Sequence, residues 1–477
     1  MKRLILFILA FLPLALCAAE RVTIVIGASA PELEKRAAGE LAGALQKLFN
    51  AQTTVQNALP ESGAAILVGS PATNAAVKTA LGAQWPALSA QGHVLKSVAS
   101  PRGAMLVAGG GSPVASLWAV HELGYRFGIR HLLHGDFMPL EKPAFTLEGF
   151  DVVLEPRVKE RAWSGFLGRP FGAEAWSIDE QKRLLGQLAK LKFTHFVIPA
   201  KVTPFAAIRV DGDTPGRKAF KGAKEFANAD LASDYIKRLK AAAAEAGIET
   251  RTAAASAAMS SLLPHFQIES LADVVVTPGD ANASAHFLSR SSFAADLTAE
   301  RALSDLATPI CGKEVDERLL KGFGAVATAA SLIATNDPAL AVPDARMIAR
   351  QLESSEAPPA WWTQAKDLYT SAMNEMYRAN TRARDGARPF TLYHAKRFEF
   401  AVHFLTSIEA ARKAGNAKAQ GDKDAQLAAL EAAVEGMYNA LNALADVARD
   451  PSDRGAIAVL NEHGYRPLIR ALEAGAN

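Results

Sequence analysis

GGGSPVASLWAVHELGYRFGIRHLLHGD, residues 109–136, is the stretch on which the division of the chain turns. The glycines close an apolar run, AMLVAGG (104–110), which with GHVLKSV (92–98) reads as a hairpin pair. After Gly111 the apolar residues change from strand to helical spacing, and the pattern predicts a helix from about Pro113 to Phe127. Glycines before a helix raise the question of an anion held at its N-terminus. No Gly-Lys-Ser/Thr follows, however, and GxGxxG is incomplete, so a nucleotide loop is excluded and close strand–helix packing accounts for the glycines. His131 and His134 stand three apart without a cysteine or a Glu-flanked histidine pair, so neither a metal nor another cofactor is expected.

Upstream, the same alternation continues. VTIVI (22–26) is a short buried strand, and Leu33, Ala37, Leu41, Leu45 and Leu48 form one stripe of a helix that starts after Pro31. AAILVGS (64–70) is a further strand ending in a turn. Residues 20–140 therefore form a small α/β sandwich domain. Residues 141–157, mixed and proline-bearing, read as a connection. Beyond it KERAW (159–163), FTHFVIP (193–199), IETRTAA (248–254) and ADVVVT (272–277) are strands, separated by helices at 178–191 and 231–246. That rhythm is a (β/α) barrel, but 157–297 holds only about four strands where a complete barrel takes at least ~200 residues. The barrel is shortened. From 298 to 477 apolar residues keep helical spacing, with DGARP (385–389) and DPSDRG (450–455) as stops and caps, which makes an antiparallel helical domain. The fold class is α/β plus α.

Composition narrows the function. The chain has 477 residues, a net charge of +3 and no basic block, which argues against nucleic acid. Lys2 and Arg3 precede an apolar stretch, Leu4–Leu16, then Cys17, Ala18 and Ala19. About 13 apolar residues are too few to span a bilayer, so 1–19 read as a signal peptide cleaved after Ala19. A lipid anchor on Cys17 competes, although Leu16 stands where a small residue is wanted. A periplasmic or secreted protein is expected, with no membrane contact after cleavage. Cys311 is then the lone cysteine and closes no internal disulfide.

The quoted stretch resembles the end of the small α/β domain that precedes the barrel in α-glucuronidases, β-hexosaminidases and O-GlcNAc hydrolases. Gly109–Gly111, Trp118, Leu123, Gly124, Arg126 and Arg130 carry the likeness, and IVIGASAPELEKRAAGELAGALQKL (24–48) with AILVGSPATN (65–74) is similar to the start of that domain. The likeness covers residues 22–140 well and 157–199 loosely. It implies a glycosidase acting on O-glycosidic bonds of polysaccharide fragments, in carbohydrate metabolism. The resemblance also implies acids at barrel strand ends, as an adjacent Asp-Glu pair or as separated Glu and Asp residues, and no position here matches them. The alternative is a non-catalytic carbohydrate-binding or assembly protein derived from such an enzyme.

Glycoside hydrolysis needs two carboxylates about a bond, and barrels carry catalytic groups at C-terminal strand ends. Asp280, in PGDANAS after the ADVVVT strand, is the leading catalytic candidate, with Asn282 beside it as a substrate contact; an Asx turn is the plainer reading. Asp211 and Asp213 in VDGD are candidate partners, Asp213 as a substrate contact, against an ordinary turn. Arg161 and Trp163 flank the first barrel strand and suit a sugar: an arginine fork for a carboxylate and an aromatic platform, against core packing. His195, on a buried strand, reads as a hydrogen-bonded core histidine. Arg378, Arg382, Arg384 and Arg388 crowd two helices and the turn between them, which offers either an ion-pair network or a contact for an anionic sugar or a second subunit.

Overall fold

The computed structural model describes residues 20–166, 168–212, 214–253, 281–341, 343–384 and 386–476. The signal segment expected at 1–19, the ADVVVT strand, Asp213 and Asp280 lie outside the described residues.

The first sheet is built by alternation. In β1 (Arg21–Val25), β3 (Ala64–Val68) and β5 (Met105–Gly110), Val22, Ile24, Ile66, Val68, Leu106 and Ala108 face one side. There they meet α1 (Glu32–Phe49) and α3 (Pro113–Arg126). Val25, Ala65, Leu67, Met105 and Val107 face the other side, against α2 (Ala75–Leu81). With β2 (Gln52–Gln56), β4 (His93–Val98) and one more strand the order is β2-β1-β3-β5-β4-β8. The expected hairpin is present: β4 runs antiparallel to β5. The last strand, β8 (Asp151–Leu154), pairs with β4, so this sheet reaches past residue 140 into the stretch read as a connection. Before it, β6 (Arg130–Leu132) and β7 (Gly135–Phe137) form a small ribbon.

The glycines of the opening stretch serve packing. A Cβ on Gly110 would overlap Ala115, and one on Gly109 would overlap the Gly69 carbonyl oxygen. Gly110 lies too close to the α3 backbone, and Gly109 too close to the turn after β3, for any side chain.

The second sheet has three described strands, β9 (Ala162–Ser164), β10 (His195–Pro199) and β13 (Glu249–Ala253), parallel and in the order β13-β10-β9. α4 (Ile178–Lys190) joins β9 to β10. A long loop carrying a ribbon, β11 (Ile208–Arg209) with β12 (Glu225–Phe226), then α5 (Tyr235–Glu245), joins β10 to β13. These are successive βαβ units of a barrel wall. Ser177 caps α4 in a full capping box with Glu180, an arrangement worth about 1 kcal/mol.

The remainder is helical: α6 (Ala281–Ser291), α7 (Ala299–Cys311), α8 (Lys313–Asn336), α9 (Met347–Leu352), α10 (Ala360–Arg382), α11 (Arg388–Gln420), α12 (Lys423–Ala445), α13 (Pro451–Leu460) and α14 (Arg466–Ala476). α8, α10, α11 and α12 pack in sequence order, as the spacing of their apolar residues predicts. Their core is continuous with that of the barrel strands: Phe193 and Phe196 belong to the same apolar cluster as Tyr369, Phe400 and Leu441. Among the described residues no helix is long and apolar enough to cross a membrane. Cys311 is buried and free, its thiol pushed up to about 12 by burial.

Candidate functional site

In a barrel the groups that do chemistry sit where the chain leaves the carboxyl ends of the strands. Here β9 leads into Gly165 and Phe166 and then a tight loop closed by a buried acid. Glu174, 1% exposed, accepts the Gly168 N–H at 2.7 Å, while its own carbonyl oxygen accepts the Ala229 N–H at 2.8 Å. One glutamate thus ties the β9 loop to the loop that follows β10. That second loop is held by Asn228, whose side chain both accepts from and donates to the Phe205 backbone, with the Phe205 and Phe226 rings stacked 5.9 Å apart.

The helical unit rests on these strand-end loops. α13 passes so close that a Cβ on Gly455 would overlap the Pro170 carbonyl oxygen. The Trp176 indole N–H donates to Ser452 Oγ at 2.8 Å. Beneath it Arg397 and Asp453, both buried, pair at 2.9 Å. On the β9 side the strand ends therefore meet protein.

The residues singled out from the sequence are placed apart. Arg161 precedes β9 and so lies at its amino end, opposite the face where barrel chemistry occurs. It is fully buried and donates to the Lys192 and Val158 carbonyl oxygens at 2.6 Å and to Gln91 at 3.0 Å, and Trp118 and Phe293 face its plane. Burial brings its guanidinium down to about 9. Its Nη2 is left without a hydrogen bond but is buried with the rest of the group, so the geometry gives Arg161 a structural role in place of the expected substrate contact. Trp163, 3% exposed, packs edge-on against Phe193 at 5.8 Å in the core, so it offers no platform to a sugar. Asn282 is likewise buried, in the first turn of α6, where its Oδ1 accepts the Leu133 N–H at 2.7 Å. It ties α6 to the turn after β6, an occupation different from contacting substrate. Asp211 receives Arg209 Nε at 2.5 Å in an exposed turn, the plainer of its two readings. His195 is bonded to Thr194 Oγ1 at 2.8 Å, as expected of a strand histidine.

His131 and His134 turn to different carboxylates, Asp136 at 2.8 Å and Asp450 at 2.6 Å. Among the described residues no group of three or more metal-ligating side chains converges. In the arginine-rich turn Arg378 pairs with Glu375, Arg388 donates to the Ala383 carbonyl oxygen, and Phe390, Tyr393, Phe400 and Phe404 are core.

Sequence reasoning missed the charge cluster joining the first unit to the second. Glu122 of α3, with no exposed surface, receives Lys192 and Arg290 at 2.6 Å and Arg126 at 2.9 Å. Burial raises its carboxyl, but Lys192 and Arg290 more than offset that and hold it well below the carboxylate range. Lys192 itself is brought down to about 8 by burial, against the pull of Glu122. Beside this cluster Asp305 collects Arg130 at 3.2 Å, His286 at 3.0 Å and the Tyr125 hydroxyl. Burial pushes its carboxyl up, and those partners bring it down to about 2. Little in the local sequence marks these groups: apart from Arg126, four residues from Glu122, the partners stand 19 to 180 residues away and read as ordinary helix charges.

No family model matches the chain, and no curated protein matches it. Solved structures do. A family GH115 4-O-methyl-α-glucuronidase, BtGH115A, with specificity for decorated arabinogalactans, superposes with a TM-score of 0.53 at 9% identity over 92% of this chain and 79% of that one. The chain has a glycoside-hydrolase-like fold. Two further structures match the chain with lower TM-scores. CpGH84D gives 0.42 at 10% identity, over 89% of this chain and 90% of its own. A GH138 enzyme targeting pectin rhamnogalacturonan II gives 0.41 at 8% identity, over 96% and 100%. The likeness to BtGH115A spans the sandwich, the barrel strands and the helical unit together, since nine-tenths of the chain takes part. At such identity it establishes fold and leaves activity to the residues.

Proposed function

We propose that this is an exported glycoside-hydrolase-like protein of carbohydrate metabolism, periplasmic or secreted, that acts on O-glycosidic bonds of polysaccharide fragments. The observation that supports this is the run of parallel βαβ units β9-α4-β10-α5-β13, set between an α/β sandwich and a helical unit in the fold shared with BtGH115A. Asp280, immediately before α6, is the acid proposed to protonate the leaving oxygen, while Glu174 at the β9 strand end is buried and holds the two loops together. No metal or cofactor is required, because two carboxylates suffice for this chemistry. The test is a panel of aryl glycosides, glucuronides and N-acetylhexosaminides included. Turnover is expected, and Asp280→Asn should lower it by about 100-fold or more, the usual contribution of a general acid. An unchanged rate removes Asp280 from the mechanism.

A second reading, a non-catalytic carbohydrate-binding or assembly protein built on this scaffold, is favoured by a specific observation. α13 sits on the β9 loop, and Arg161 and Trp163 are committed to packing. It predicts no turnover across the panel, together with measurable glycan binding or a stable homo-oligomer through the helical unit.

A further inference from the structure

A cavity of about 490 Å³ opens where the three units meet, within the roughly 300–1,000 Å³ range of ligand pockets. One wall is the face of α4 that carries Glu180, Arg183 and Gln187, spaced three and four residues apart. The face carrying Ile178, Gln181, Leu185 and Leu188 points into the core, so the cavity lies outside the barrel wall. The turn between β6 and β7 supplies His134, and the turn before α13 supplies Arg449 and Asp450.

The charges in this cavity are unequally used. Glu180 is occupied by the α4 cap, through the Ser177 backbone N–H and hydroxyl at 2.9 Å, with Arg454 at 3.5 Å. Asp450 receives the Asp453 N–H at 2.9 Å on one oxygen and His134 Nε2 at 2.6 Å on the other. Burial raises its carboxyl, and His134, the Asp453 N–H and the Arg449 charge together outweigh this and bring it down to about 2, so it stands ionised. That bond uses Nε2 of the His134 ring and leaves Nδ1 as its second hydrogen-bonding position. The cations are not so occupied. Arg183 is exposed and, among the described residues, has no ionic or hydrogen-bonding partner. Arg449 is exposed, its guanidinium laid over the Tyr393 ring at 3.1 Å, which fixes its plane while leaving its N–H edges unspent among the described residues.

We propose that this cavity binds a small polyhydroxy carboxylate of sugar-acid size, Arg183 and Arg449 taking the carboxylate and His134 Nδ1 hydrogen-bonding a hydroxyl. Two guanidinium groups grip a planar carboxylate with charge-assisted hydrogen bonds, and the dyad adds a demand for a hydroxyl that a bare anion lacks. The site stands apart from the strand-end proposal and does not depend on hydrolysis.

Calorimetric titration of the whole chain tests it, with D-glucuronate as probe, D-glucose as its uncharged match and acetate as the bare carboxylate. Glucuronate is expected to bind saturably at one site, with glucose and acetate each weaker by about tenfold or more. Arg183→Ala and Arg449→Ala should each weaken glucuronate by about tenfold or more, Arg183→Ala at an unchanged melting temperature, its side chain being exposed and without a partner among the described residues. Asp280→Asn should leave this binding as it is. The proposal is overturned by the absence of saturable heat at millimolar glucuronate, by acetate binding as tightly, by full affinity in both arginine variants, or by loss of binding in Asp280→Asn.

Discussion

Glu122 shows what one residue does in this molecule. A carboxylate with no exposed surface is costly by itself, and here three cations converge on it. Removing one partner from such a group leaves buried charge uncompensated, at about 3–5 kcal/mol. Glu122→Gln keeps the size and loses the charge, so a loss of that order is expected in urea denaturation at neutral pH. The pH dependence has a definite sign. Its folded carboxyl lies below the unfolded value of about 4.3, so its contribution is complete above that value and is lost as pH falls toward the folded one. Wild type should therefore lose more stability than Glu122→Gln between about pH 6 and about pH 3, by comparison of urea midpoints. Equal slopes would show that Glu122 is not the group titrating. Arg161 makes the complementary point, since a residue type that suits a sugar carboxylate has been used to seal a packing joint.

At the scale of elements, α13 is the decisive one. It is capped by Asp450, whose side chain accepts from Asp453 N, and that cap also holds His134. Gly455 then lets the helix lie directly on the β9 loop. Gly455→Ala is expected to push α13 away from Pro170 and cost about 1–3 kcal/mol, the usual penalty of overpacking, even though alanine is the better helix former. A thermal melt checks this. A raised melting temperature would mean that the loop and helix are free to separate. The existence of α13 was readable in the sequence from DPSDRG; its seat was not, because contact with Pro170 joins positions nearly three hundred residues apart.

Across the whole molecule, the barrel strands and the helices share one apolar cluster, while the sandwich keeps two of its own. A strand group with three described members cannot cover both faces, and the helical unit supplies the missing apolar surface. Phe196→Ala on β10 and Leu441→Ala on α12 should therefore lower the same calorimetric transition, each by about 2–5 kcal/mol. Two separate transitions, each answering to one substitution, would show that the units fold independently.

The periods of the chain by themselves determined most of the elements. The alternation of β1, β3 and β5, the apolar stripe of α1, the glycine-marked entry to α3 and the long helices after residue 298 all follow from local spacing, which short-range backbone geometry enforces. Strand β8 was missed because four residues of mixed pattern become a strand only when β4 offers an edge. Burial and partnership belong to the tertiary structure alone. Whether Arg161, Trp163 and Asn282 meet solvent or core, and whether His134 finds Asp450, depends on distant segments arriving at the same place, and no local pattern of residues encodes that meeting.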